Sequence, residues 1–115
     1  MNAPQPTLPA SSHEQRARVL KALAHPSRLL MVETLAAGPC CVCDLRDLVG
    51  ADISTVSKHL AVLKNAGIVA DERRGKEIHY HLIAPCVLDF FACIETLSAT
   101  RDREPQITIP DLRKN

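Results

Sequence analysis

Hydrophobic residues recur at helical spacing in five stretches of the chain and at alternating spacing in a sixth. Caps and breakers bound these stretches: Ser12 can cap the first, Pro26 suits the first turn of the second, and Asp52 can cap the fourth. In the fourth stretch, apolar residues at 56, 60 and 63 mark one buried face. The pattern predicts five helices, at about 13–24, 26–36, 42–49, from the Asp52 cap to the stop glycine Gly67, and from Pro85 to about 99.

The alternating stretch, residues 68–83, predicts a β-hairpin. Apolar residues at 78, 80 and 82 alternate with polar residues at 77, 79 and 81, and Arg74-Gly75 lies at the tip. Two helices joined by a short glycine-containing turn, followed by a hairpin, are the order of a winged helix-turn-helix. We therefore expect a mainly α fold with five helices and a small β-hairpin, in one domain at 12–99. Residues 1–11 and 100–115 are expected to be tails, the first of them disordered.

The bulk composition narrows the function. The chain has 115 residues, which suits a single domain, and only 3% of them are aromatic. Few aromatics argue against a single-strand or RNA platform, which stacks bases on exposed rings. The net charge is +1, so DNA affinity must come from locally placed cations. No apolar run is long enough to span a membrane and the start is not a secretory signal, so we expect a cytoplasmic protein with reduced thiols.

The fourth helix is the predicted DNA reader, because the second helix of a helix-turn-helix enters the major groove and its first residues meet base edges. Short hydroxyls permit close approach, and lysine supplies charge for phosphates. The basic hairpin tip would reach flanking phosphates or the minor groove. The alternative is that both are solvated faces of an ordinary helix and hairpin. The candidate DNA-binding residues are Ser54, Thr55, Ser57, Lys58 and His59 in the helix and Arg73, Arg74 and Lys76 in the hairpin.

Three of the five cysteines, Cys40, Cys41 and Cys43, stand at the start of the third helix. Cys41 occupies the N-cap position, where a thiol is a poor substitute for serine or threonine. A helix start favours negative charge, and thiolates are ligands of soft ions. The cluster therefore predicts a site for a thiophilic ion. The alternative is that these side chains are small apolar fillers in a helix corner.

An enzyme is not expected. The run from Cys40 to Cys43 is a C-x-x-C, but thiol oxidoreductases usually hold this motif in a β-α-β setting that the predicted elements lack. A small oxidoreductase is therefore a remote alternative. A structural zinc knuckle is disfavoured as well, because no second ligand pair has the required spacing. No organic cofactor is expected.

The motifs LAHPSRLLMVETL, CVCDL, STVSKHL, LKNAGIV and RRGKEIHYHL resemble the ArsR/SmtB family of metal-responsive repressors. The resemblance runs from about residue 19 to residue 97. It implies a homodimeric winged helix, with the first and last helices forming the dimer interface. It also implies that the ion-free protein binds double-stranded operator DNA and is released when a ligand binds. In our hypothesis, sulfurs gathered around an ion bend or fray the start of the third helix, on which the reading helix rests.

The CVCDL segment resembles the arsenite- and antimonite-sensing branch of that family and also a cadmium- and lead-sensing branch. The arsenite pattern usually has a third cysteine where this sequence has Arg46. The cadmium and lead branch recruits N-terminal cysteines, and residues 1–39 contain none. We therefore expect As(III) or Sb(III) as the inducer, with Cys40 supplying the third sulfur beside Cys41 and Cys43, and Cd(II) or Pb(II) as the alternative.

Two further pairs of residues carry alternatives. Cys86 and Cys93 lie on the apolar stripe of the fifth helix and are expected to pack at the dimer interface. They could instead form a second thiol site, or pair with the third-helix cysteines in a thiol-redox or persulfide-sensing repressor. The zinc site that the family places on the last helix is rejected because this helix has no histidine. His79 and His81 share one hairpin face, where solvated or phosphate-contacting side chains are favoured over a metal pair.

Overall fold

The computed structural model describes residues 10–103 of the chain, and their side chains from 12 to 99. In chain order the elements are α1 (Ala10–Leu23), α2 (Pro26–Ala36), β1 (Cys40–Cys41), α3 (Val42–Val49), α4 (Ile53–Asn65), β2 (Val69–Arg74), β3 (Glu77–Leu82) and α5 (Val87–Arg103). Over residues 10–103 this is the predicted winged helix-turn-helix with five helices. The predicted tails fall mostly outside the described residues, except that 10–11 and 100–103 are helical.

Two predicted helix starts are wrong. The first helix begins at Ala10, so Ser12 lies inside it rather than capping it. The fifth begins at Val87 instead of Pro85. Pro85 and Cys86 form a turn, in which the carbonyl of Cys86 accepts from the amide of Asp89 at 3.1 Å. Both errors have one cause, because a capping residue or a proline allows a helix to begin without requiring it.

The chain divides at Pro85 into two compact units. The core of the first unit is built by α2, α3, α4 and the start of β2. Burying an aliphatic side chain stabilises a fold by about 1.5–3 kcal/mol, so these contacts fix the position of α4 on its neighbours. The fully buried side chains are Met31, Val32, Leu45, Val56, Leu60, Leu63, Ile68 and Val69.

The sheet has three antiparallel strands in the order β1-β3-β2, where the sequence predicted a hairpin alone. The two strands of the hairpin turn through Gly75, whose φ of 63° is the left-handed conformation that glycine adopts without strain. The added strand, β1, pairs Cys40 with Tyr80 and Cys41 with His79. Two residues are too few to show an alternating pattern, so this strand is defined only by its partner. It joins the cysteine cluster to the hairpin of β2 and β3, which is the wing of the fold.

None of the helices within residues 10–103 has the length and apolar character needed to cross a membrane.

Candidate DNA interface and thiol site

The turn between α3 and α4 is built as the sequence predicted. Gly50 ends α3 in a left-handed conformation, with φ 77° and ψ 23°, and its amide donates to the carbonyl of Arg46 at 2.9 Å. Asp52 caps α4 by accepting from the amide of Thr55 at 2.7 Å and from the hydroxyl of Ser54 at 3.1 Å. These bonds, the amide of Thr55 foremost, lower the pKa of Asp52 below its usual value. The cap fixes where the reading helix begins.

The predicted DNA-binding residues of α4 differ in their exposure to solvent. The buried face, at 56, 60 and 63, points into the core. Ser54, Ser57 and Lys58 are exposed on the opposite side, whereas Thr55 and His59 are half-buried. The structure therefore leaves two serines and one lysine fully available in the first two turns of the helix.

His59 takes part in a contact that the sequence did not reveal. Its Nδ1 lies 3.0 Å from Nη1 of Arg28, and its ring centroid lies 4.4 Å from that of His25. Because arginine only donates, Nδ1 is the acceptor and the imidazole is neutral in this contact. Burial, and then the neighbouring His25 and Arg28, lower the pKa of His59. His25 itself accepts from the amide of Ser27 at 3.1 Å as the N-cap of α2.

Arg28 links the end of α1 to the reading helix. Its Nε donates to the carbonyl of Ala22 at 2.6 Å and its Nη2 to that of Lys21 at 3.5 Å. These carbonyls belong to the last turn of α1, where backbone acceptors have no partner within the helix. Arg28 thus adds a hydrogen-bonded link to the direct contacts between α1 and α4. Only the LAHPSRL motif, which contains both His25 and Arg28, marked this region in the sequence.

The wing carries the predicted cations on its exposed tip, but their electrostatic environments differ. Arg74 is paired with Glu72 at 3.4 Å. Within residues 12–99, Arg73 and Lys76 have no ion-pair partner, and neither does Lys58 in α4. Charges that are not already neutralised contribute most to phosphate binding. Lys58, Arg73 and Lys76 are therefore the strongest phosphate candidates in the described chain.

The three clustered cysteines have different surroundings. Cys41 is only 9% exposed and caps α3, with its Sγ accepting from the amide of Asp44 at 3.4 Å. Cys43 is exposed one residue inside the helix. Cys40 is half-buried, and because successive side chains of a strand point to opposite faces, it faces away from Cys41. Burial, then Asp44 and Cys41, raise the pKa of Cys40, so its thiol stays protonated at neutral pH.

Cys41 and Cys43 line a groove of about 300 Å³ that also touches α4 and the wing, the predicted DNA-reading elements. Its other walls come from the first turns of α4, through Ile53 and Ser57, and from the wing, through Lys76. Cys40 does not line it. No three histidine, cysteine, aspartate or glutamate side chains of the described residues are placed together so that they could hold an ion. The groove thus brings together two of the three predicted sulfurs.

The remaining cysteines, Cys86 and Cys93, belong to the second unit and are both exposed. Phe90, Ile94 and Leu97 are exposed as well, at the i, i+4 and i+7 positions of α5. The predicted apolar stripe is therefore present on this helix.

This chain is similar to known bacterial transcriptional regulators. The family described as bacterial regulatory protein, arsR family, matches residues 25–71. The HTH-type transcriptional regulator NmtR of Mycobacterium tuberculosis is 42% identical over 81 residues, which cover 70% of this chain and 68% of that protein. The biofilm growth-associated repressor of Xylella fastidiosa is 34% identical over 88 residues, 76% of this chain and 77% of the repressor.

Among solved structures, a homodimeric winged helix-turn-helix DNA-binding domain from Mycobacterium bovis superimposes with a TM-score of 0.72. That domain is described as a possible ArsR-family transcriptional regulator. It is 29% identical, and the match covers 93% of this chain and 99% of the domain.

Proposed function

Because the chain belongs to the arsR family of bacterial regulatory proteins, we propose that it is a transcriptional repressor that binds operator DNA as a homodimer and is released when a thiophilic ion binds to Cys41 and Cys43. The observation that carries the proposal is the shared groove. Its two thiols stand on the start of α3, and its other walls are the reading helix and the wing.

The DNA complex uses α4 and the wing. The exposed serines of α4 face the major groove, where hydroxyls bond to base edges or phosphates. Lys58, Arg73 and Lys76 bind the phosphates on either side. A second copy covers the exposed apolar stripe of α5, and the similar M. bovis domain is itself homodimeric. Two reading helices then meet half-sites about 34 Å apart, one helical turn of DNA.

The release step begins at the cap of α3. An ion on the sulfur of Cys41 competes with the amide of Asp44 for the same lone pairs, so the first turn of α3 loosens. Leu45, one turn further along, is fully buried in the core beneath α4. A shift of α3 therefore moves the support of the reading helix. Changing a promoter from 99% bound to 99% free needs a difference of about 5.5 kcal/mol between the ion's affinities for the two states.

The donor set bears on the identity of the ion. As(III) and Sb(III), the first candidates from the CVCDL segment, bind three sulfurs only if Cys40 turns toward the groove. That turn requires β1 to leave β3, because Cys40 now faces the opposite side of the strand. Cd(II) and Pb(II) are the alternative candidates, since two thiolates and another donor would hold them.

A second candidate keeps the fold and replaces the ion with oxidation or persulfidation of a thiol. The observation that favours it is the exposure of Cys43 at the groove, beside a second thiol and without a third sulfur on the same face. Thiols with such access are the ones that oxidants reach. In this case modification of Cys43 would loosen the first turn of α3.

One titration separates these possibilities. An operator duplex, selected from random DNA by the protein itself, is labelled, and its release is followed by fluorescence anisotropy with As(III), Sb(III), Cd(II), Pb(II), Zn(II) and peroxide. We expect release of the reduced wild-type protein by a thiophilic ion, and binding without release for Cys43→Ser. Cys93→Ser is the matched control for the ions and should be released by them as the wild type is. Normal release of Cys43→Ser would place the sensor elsewhere, and release by peroxide alone would support the redox candidate.

A further inference from the structure

His79 is the residue that lies directly across the sheet from Cys41. The register pairs the two residues in the β1–β3 ladder, and residues that are directly opposite in an antiparallel pair point to the same face. Their Cβ atoms are then about 4.5–5.5 Å apart. Cys40 is instead opposite Tyr80, on the other face. The closest strand neighbour of the capping thiol is therefore an imidazole rather than a second sulfur.

One ring nitrogen of His79 makes no hydrogen bond. Its side chain is 21% exposed, and its Nδ1 is buried without a hydrogen-bond partner in the described structure. Leaving a buried polar atom without a partner costs about 1–3 kcal/mol, so such an atom calls for an explanation. On the other side of the ring, Nε2 lies 3.7 Å from a carboxylate oxygen of Glu77, which is near but beyond hydrogen-bond distance. Histidine ligands of metals usually donate their second ring N–H to a carboxylate or another acceptor, and Glu77 lies on the side of the ring where such an acceptor belongs.

We propose that His79, through Nδ1, is the third ligand of the ion held by Cys41 and Cys43, an inference that rests on the proposed function and specifies its ion. Two thiolates and an imidazole suit a divalent ion such as Cd(II) or Zn(II), with solvent as a fourth ligand, better than a trivalent ion that takes three sulfurs. With Nδ1 on the ion, the remaining ring proton is on Nε2, on the side of Glu77.

The ligands are not preassembled, because no three such donors converge in the described chain and His79 lies beside the groove rather than in its lining. The ion itself gathers them, and this gives the site a mechanical consequence. His79 lies in β3, whereas the two cysteines lie at the junction of β1 and α3. An ion bound to all three draws the wing toward the start of α3. The groove that opens between the wing and the reading helix then narrows from the side of Lys76.

The test is a Cd(II) titration of the reduced full-length protein, followed by the thiolate-to-cadmium charge-transfer band. His79→Gln is compared with His81→Gln, which changes a histidine of the same strand that pairs with Ala70 instead of Cys41. We expect His79→Gln to weaken Cd(II) affinity at least about 10-fold, the lower end of what loss of even a supporting group costs. His81→Gln should bind Cd(II) as the wild type does.

A second measurement needs no substitution. X-ray absorption at the cadmium edge of the wild-type complex should show two sulfurs and one imidazole nitrogen. A shell without imidazole, or an unchanged affinity of His79→Gln, would overturn the assignment of His79. The failure of the proposed function has a different signature, because Cys43→Ser would then keep both Cd(II) binding and DNA release. If Cys43→Ser loses both and His79→Gln loses neither, the repressor stands and only its third ligand is wrong.

Discussion

Replacing Cys41 by serine should separate the stability of the protein from its response to the ion. The side chain at this position caps α3, and a thiol is a weak acceptor, here 3.4 Å from the amide of Asp44. Serine is among the preferred N-cap residues, and its shorter hydroxyl can accept the same bond. Cys41→Ser therefore keeps the cap, whereas Cys41→Ala leaves the amide of Asp44 without its partner.

The magnitude follows from the cap and from burial. Loss of a serine cap to alanine typically costs about 0.5–2 kcal/mol, which sets the expected difference between the two variants. Since Cys41 is only 9% exposed, the serine hydroxyl is buried and part of its gain as a cap is lost to desolvation. We expect Cys41→Ser to stay within about 1 kcal/mol of the wild type. In a domain of this size, a difference of about 1 kcal/mol corresponds to about 4–8 °C in Tm.

The assay is thermal unfolding followed by circular dichroism, with reductant and chelator present. All three proteins are measured at one protomer concentration, because dimerisation makes Tm depend on concentration. DNA release is measured in parallel. Cys41→Ser should bind the operator and fail to release with the ion.

Two results would refute this reasoning. If the serine and alanine variants have equal Tm values, the side chain at this position does not cap α3. If Cys41→Ser has wild-type stability and still releases DNA with the ion, the cap is not the point at which the ion acts.

Three other outcomes test neighbouring parts of the structure. Gly50→Ala should lower the free energy of unfolding in denaturant by about 1–2 kcal/mol, because a φ of 77° strains a residue that has a Cβ. Gly50→Asn should lower it by less, since asparagine tolerates this conformation better, and the Cβ of either variant would meet no atom within 4 Å. Equal stability of Gly50→Ala and the wild type would show that the turn can change conformation. Lys58→Ala should reduce the slope of log K for DNA against log salt concentration by about 2, because one phosphate contact is lost in each half-site. Lys64→Ala should reduce the slope by less, because Lys64 is already paired with Asp71 at 3.1 Å. Because the pKa of His59 is lowered in the folded protein, the unfolded chain binds more protons than the folded chain just below pH about 6.5, so stability should rise as the pH increases toward that value. His59→Gln should flatten this rise. An unchanged slope of stability against pH would assign the rise to another group.

The sequence by itself determined the helix-turn-helix. The bounds of α2 and α3, the Asp52 cap and the Gly67 stop were all predicted and are confirmed. These features depend on hydrogen bonds and apolar spacings within a few residues, and such local interactions leave a readable pattern. The same holds for Cys41, whose place at the N-cap was visible from CVCDL alone.

Only the tertiary structure decided which of the candidate groups meet. The contact between Arg28 and His59 joins residues 31 positions apart. β1 pairs with β3, which follows it in the chain only after two helices and a strand. No local period records such pairings, because they depend on how the core orients whole elements. The pairing with β3 turned Cys40 away from Cys41 and placed an imidazole opposite the capping thiol. The motif thus indicated a sulfur site, but the sheet decided which side chains can share it.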